Sequence, residues 1–139
     1  IGSAIMAPFD VLIQRTPKLQ TRRPDVLFVS QERMAEGGGI PRIGPLSLAP
    51  ENVAEVVSDS ETQRILEGKV IDYAAIGVDE CWVIRPDSRT IELLRPRWSG
   101  SEIVAIFNET QPVKSLFSRS LGHSRGNFPI MVGRRASAS

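Results

Sequence analysis

The sequence predicts an α/β fold of the α+β mixed-sheet kind, with a central sheet and at least one helix packed on it. Two observations carry this prediction. Short apolar runs rich in β-branched residues recur between Gly and Pro turns, and one segment between them shows the apolar spacing of a helix. A chain of 139 residues can bury one real core and is short for a second independent domain. No internal repeat or heptad pattern is visible.

The elements follow in order. The chain opens at Ile1 without an initiator methionine and moves into a predicted strand, Phe9 to Ile13, so the expectation is a domain that lacks its N-terminal element. Pro24 to Val29 reads as a strand opened by Asp25. Gly37-Gly38-Gly39, with Pro41 and Pro45, marks a loop, because Gly admits positive φ and Pro interrupts a ladder. Val53 to Val57 is a second strand with Glu55 inside it. Ser58-Asp59-Ser60 ends that strand and offers N-cap side chains, after which Glu61 to Ile76 carries Ile65, Leu66, Val70, Tyr73 and Ala74 at helical spacing, with Gly77 placed to stop the helix. Cys81 to Ile84 and Thr90 to Leu94 read as a hairpin turned at Pro86 to Arg89, and Ile103 to Phe107 as a further short strand. From about Ser115 the composition shifts to Ser, Arg and Gly around one apolar patch, Phe128 to Val132. The expected organisation is one domain over residues 1–114 and a divergent, partly mobile tail over 115–139.

Charge excludes a global attraction to nucleic acid: 17 Lys and Arg stand against 16 Asp and Glu, for a net charge of +1. A basic surface would have to be local. It could be assembled from Arg15, Arg22 and Arg23, from Arg95 and Arg97, and from Arg119, Arg125, Arg134 and Arg135, if the fold gathers them. Cys81, the lone cysteine, has no disulfide partner and reads as a small core residue suited to a reducing compartment. No apolar run approaches the length of a membrane span and no signal-peptide pattern is present, so the expected location is cytoplasmic.

Two acids stand out. A carboxylate in an apolar strand loses hydration and needs a partner, and a pair of them most often finds a divalent cation or a shared proton. Side chains alternate along a strand, so Asp25 could present its carboxylate beside Glu55 on a neighbouring strand. Mg²⁺ suits such a pair, since it takes hard oxygen ligands and keeps several waters. Lys69, on the following helix, could stabilise charge developing on a phosphate or orient the attacking water. Blander readings stand beside these. Asp25 could bond backbone amides at the strand start, Lys69 could be a solvated residue paired with Asp72 or Glu61, and Tyr73 and Trp82 could be core aromatics. His123 reads as an exposed loop residue.

The stretch from about Arg23 to Pro96 resembles the PD-(D/E)xK nuclease superfamily and, within it, the Uma-two family of restriction-endonuclease-like proteins. The likeness rests on Arg23 to Ser30, on Ala49 to Ser58, on Lys69, Tyr73 and Gly77-Val78, and on Trp82 to Ile84 with Pro86. It implies a restriction-endonuclease-like core and a Mg²⁺- or Mn²⁺-dependent endonuclease that acts on DNA, commonly as a homodimer. Asp25 would be the motif aspartate and Glu55 the acid of the second strand, the two forming the metal site, with Lys69 as the catalytic lysine. The place two residues after the acid, where the motif has lysine, holds Val57, and Lys69 is in register to take that part from the helix. Glu51 stands where the family usually has aspartate and is a possible additional acid. Two further classes follow from the same residues. One is a nuclease relict that binds nucleic acid, and the other is a self-associating protein whose hairpin, Cys81 to Leu94, pairs as a sheet edge.

Overall fold

The computed structural model describes residues 2–6 and 9–113. Along the chain run β1 (Gly2–Met6), β2 (Val11–Gln14), β3 (Gln20–Arg22), β4 (Val26–Ser30), α1 (Gln31–Glu36), β5 (Asn52–Val56), α2 (Gln63–Ile76), β6 (Glu80–Arg85), β7 (Thr90–Arg95) and β8 (Glu102–Asn108). A six-stranded mixed sheet has the order β1-β4-β5-β6-β7-β8, and β2 and β3 form a separate ribbon. Only β5 and β6 are parallel; the other pairs of the sheet are antiparallel. A parallel pair needs a crossover, and α2 supplies it.

Burial alternates along the strands as their sequences require. Leu27 and Val29 of β4, Val53 and Glu55 of β5, and Cys81 and Val83 of β6 point to one side and are buried. Onto that side α2 lays Leu66, Val70 and Tyr73, while Leu46 and Val11 close the core from the loop and the ribbon. The helix begins at Thr62 rather than in Ser58-Asp59-Ser60: the Thr62 hydroxyl accepts from Ile65 N at 3.3 Å. It ends at Gly77, whose φ of 92° is the left-handed conformation that a helix stop needs and that Gly adopts without strain. Gln20 and Arg22 of β3 reach Asp72 at 3.0 Å and 2.6 Å and tie the ribbon to the outer side of α2.

The mixed sheet with its packed helix is as predicted, and four details differ. The strand expected from Phe9 begins at Val11 and pairs with β3 outside the main sheet, while the sheet edge is made earlier, by β1. A short helix, α1, follows β4 directly, capped by Ser30, whose hydroxyl accepts from Arg33 N at 3.1 Å. The hairpin is not an edge, because β7 pairs with β8 on its far side from β6. Among the described residues the arginines do not converge. Arg22 lies in the ribbon and Arg23 directly after it, whereas Arg95 and Arg97 sit by Glu102 at the opposite end of the sheet from Asp25. His123, the Phe128 to Val132 patch and Arg119, Arg125, Arg134 and Arg135 lie outside the described residues. Among the described residues, no helix is long and apolar enough to cross a membrane.

The packing of α2 gives a direct stability contrast. Leu66→Ala, at a side chain 3% exposed, is expected to lower unfolding free energy by about 2–5 kcal/mol, while Ile71→Ala on the outer side changes it by about 0.5 kcal/mol or less. Urea unfolding of the two variants checks this, and equal losses would contradict the packing.

Candidate active site

Asp25 stands one residue ahead of β4, where the ladder to β5 runs out. The pairing ends at Val26 opposite Ala54, and Asp25 N donates to Ala54 O at 3.1 Å. Val56 N has no main-chain acceptor on that side, and Asp25 Oδ2 takes its place at 2.7 Å. Asp25 does bond a backbone amide, but not a local one as expected: the amide comes from the neighbouring strand. That bond fixes the carboxylate beside the end of β5.

Glu55 is 2% exposed, at the side of the sheet covered by α2. Both its oxygens are engaged: the Tyr73 hydroxyl donates to Oε1, and Lys69 Nζ lies 3.1 Å from Oε2. Lys69 and Tyr73 are four positions apart on α2, so one helix face delivers both donors. Burial pushes the Glu55 carboxyl above the usual glutamate range; the Tyr73 hydrogen bond and the Lys69 charge pull it back in part, and the nearby Asp25 carboxylate adds to the rise. That last influence places the two carboxylates within electrostatic reach of each other. Tyr73 is raised in turn, first by burial and then by the Glu55 charge, so its hydroxyl stays protonated as a donor.

Lys69 also meets Glu61, the residue just ahead of the helix cap, with Nζ 2.6 Å from Oε1. Burial alone would lower the Lys69 ammonium, but Glu61 and Glu55 outweigh it and hold it above the ordinary lysine value. Lys69 is thus paired with Glu61 and not with Asp72, which is taken by Gln20 and Arg22. Asp25, Glu55, Glu61 and Lys69 share one cleft of about 280 Å³, rimmed by Arg23. The Arg23 guanidinium holds Asp10 through both carboxylate oxygens, at 2.6 Å and 3.2 Å, and lowers the Asp10 carboxyl.

Three of the predicted residues are therefore brought together: Asp25, Glu55 and Lys69. Val57 packs against the core, so the ammonium in this cleft comes from α2. Glu51 is not in the cleft. It stands one residue ahead of β5, at the end away from the cleft, where Oε2 accepts from Ser30 N at 2.9 Å, Oε1 accepts from the Ser30 hydroxyl, and Arg33 Nε stands at 3.4 Å. Sequence reasoning missed the Tyr73 hydroxyl as a partner of Glu55, which the spacing from Lys69 could have signalled. Among the described residues no three acidic, His or Cys side chains form a metal-ligating group. A pair of carboxylates is nevertheless the donor set that suits Mg²⁺, which retains waters for its other positions, so the residues present fit such an ion.

Because the folded-state value of Glu55 lies above that of an unfolded glutamate, the folded protein holds the extra proton between the two values. Stability contributed by this site should fall as pH rises through that window. Carbon-13 NMR titration is expected to place the Glu55 midpoint above the usual glutamate range, and Tyr73→Phe should move it higher still, since the hydroxyl is a stabilising donor to the ionised form. A fall in Tyr73→Phe would contradict this arrangement.

Comparison with known proteins agrees with this architecture. A crystal structure described as a "putative nuclease belonging to DUF820", from Anabaena variabilis, superposes with a TM-score of 0.63 at 21% identity over 87% of this chain. The chain spans 63% of the length of that protein. No curated protein matches the sequence. The family model described as "Putative restriction endonuclease" matches residues 3–122, most of the chain. The chain belongs to the Uma2 family.

Proposed function

We propose that the chain carries the site of a divalent-cation-dependent endonuclease of the PD-(D/E)xK type, hydrolysing phosphodiester bonds in DNA. The observation that carries this reading is the meeting of Lys69, from α2, with Glu55, from β5, in the cleft that also holds Asp25. Family membership supports a nuclease.

Asp25 and Glu55 would hold Mg²⁺ or Mn²⁺. Such an ion polarises a phosphoryl oxygen and lowers the pKa of its bound water. Asp25 is oriented by Val56 N, so its carboxylate is fixed before any ligand arrives. The Lys69 ammonium is 23% exposed, open enough to meet a phosphate and buried enough that its charge is weakly screened. Arg23, 59% exposed at the rim and paired with Asp10, would be the arginine that meets the nucleic-acid backbone. Cutting both strands calls for two sites, and the proposal includes a homodimer. The strand β8, with Ile103 57% and Ile106 58% exposed, is a better candidate for the seam than the β6–β7 hairpin.

A second reading, a relict that binds nucleic acid without cutting, is favoured by one observation: both oxygens of Glu55 already have partners within the chain. Metal titration and plasmid nicking separate the two. The proposal expects Mg²⁺ and Mn²⁺ binding and nicking in the wild type, with both lost in Asp25→Asn and Glu55→Gln. In Lys69→Ala it expects retained binding and nicking slowed by about a hundredfold. Salt-sensitive DNA binding by a folded wild type without cation binding or nicking would overturn it in favour of the relict.

A further inference from the structure

Lys69 is held by two carboxylates at once, and the closer is not the one assigned to the cation. Nζ lies 2.6 Å from Glu61 Oε1 and 3.1 Å from Glu55 Oε2. Glu61 is itself nearly buried, with a side chain 8% exposed, and is anchored ahead of α2 by its amide, which donates to Ser58 O at 2.9 Å. Its Oε1 is shielded from water, and the Lys69 ammonium is the charge that faces it. Neither carboxylate can readily follow Lys69 elsewhere: Glu55 is fixed on a central strand and Glu61 at a turn that leads into the helix.

An ammonium and a divalent cation compete for the same carboxylate. On Glu55, Oε1 is occupied by the Tyr73 hydroxyl, so Oε2, the oxygen that Lys69 touches, is the one that a cation would take. Once it does, repulsion drives the ammonium away from Glu55. Without a second anchor the ammonium would either stay and obstruct the cation or swing into solvent and remove its charge from the cleft. We propose that Glu61 is a positioning residue that receives the Lys69 ammonium when Glu55 takes a cation, so that ion and ammonium occupy the cleft together. This rests on the cation site proposed above.

Calorimetric titration of Mn²⁺ into the wild type, Glu61→Gln, Lys69→Met and the double variant tests it, with circular dichroism to confirm folding. Glu61→Gln is expected to weaken Mn²⁺ binding by about tenfold, the size of coupling usual between contacting charges, and to add nothing in the Lys69→Met background. Equal weakening in both backgrounds would overturn the inference, because Glu61 would then act on the cation directly. No weakening in either would overturn it too, and so would loss of all binding in Lys69→Met, since the ammonium would then support the cation rather than compete with it. A wild type that binds no Mn²⁺ removes the cation site itself, an outcome distinct from the other three. Should Glu61→Gln not fold, Glu61→Asp keeps the charge, withdraws the oxygen from Lys69 and permits the same comparison.

Discussion

A carboxylate buried in the middle of a sheet loses several kcal/mol of hydration, and the strand that carries it can be built only if other elements return that loss. In this protein Glu55 is that carboxylate, and one helix makes the return: Tyr73 and Lys69 reach its two oxygens from neighbouring turns of α2. This sets the register of α2 on β5. A slide of one turn would leave Glu55 with one donor or none, and breaking a buried ion pair costs about 3–5 kcal/mol. The same face of the helix buries Leu66 and Val70, so apolar packing and charge compensation demand the same placement.

The two ends of β5 show how environment separates residues of one type. Glu51 stands one residue ahead of β5 and Glu55 lies within it, and each is 2% exposed. Glu51 is closed off by the Ser30 amide and hydroxyl and by Arg33, which is itself held by Asp79 at 2.7 Å, so it links β5 to the start of α1. Glu55 is met by groups that also border a cleft, with Asp25 beside it. The crossover through α2 returns the chain to β6, parallel to β5, and brings the first turns of the helix over the carboxyl end of β5. Ligand sites in open α/β sheets are characteristically found at that end of the strands.

Much of this was legible in the sequence, and the limits have physical causes. Strands β4 to β8 announced themselves as apolar runs between turns, and Glu55 stood out because an acid inside such a run requires an explanation. Lys69 stood out as the base on the helix that follows Glu55, but only the family resemblance favoured it over a solvated helix residue, since Val57 occupies the place of the motif lysine. The ribbon strand β3 is Gln-Thr-Arg and β1 is Gly-Ser-Ala-Ile-Met, neither of which carries a clear alternation. Helix α1 buries no residue and so has no apolar stripe to read. The arginine clusters were pooled by proximity in sequence, whereas the sheet sends Arg95 and Arg97 to the end away from Asp25. Glu61 appeared only as one possible partner of Lys69, because a turn residue's reach depends on a three-dimensional approach that no periodicity encodes.

The central claim is that Asp25 and Glu55 form one cation site from which Lys69 steps aside toward Glu61. A crystal soaked in Mn²⁺ and recorded at a wavelength that reveals its anomalous scattering tests this most directly. The account predicts a peak within ligand distance of both carboxylates, with Lys69 Nζ retained on Glu61. A crystal that remains without a peak at high Mn²⁺, with Lys69 still bridging Glu55 and Glu61, would contradict it.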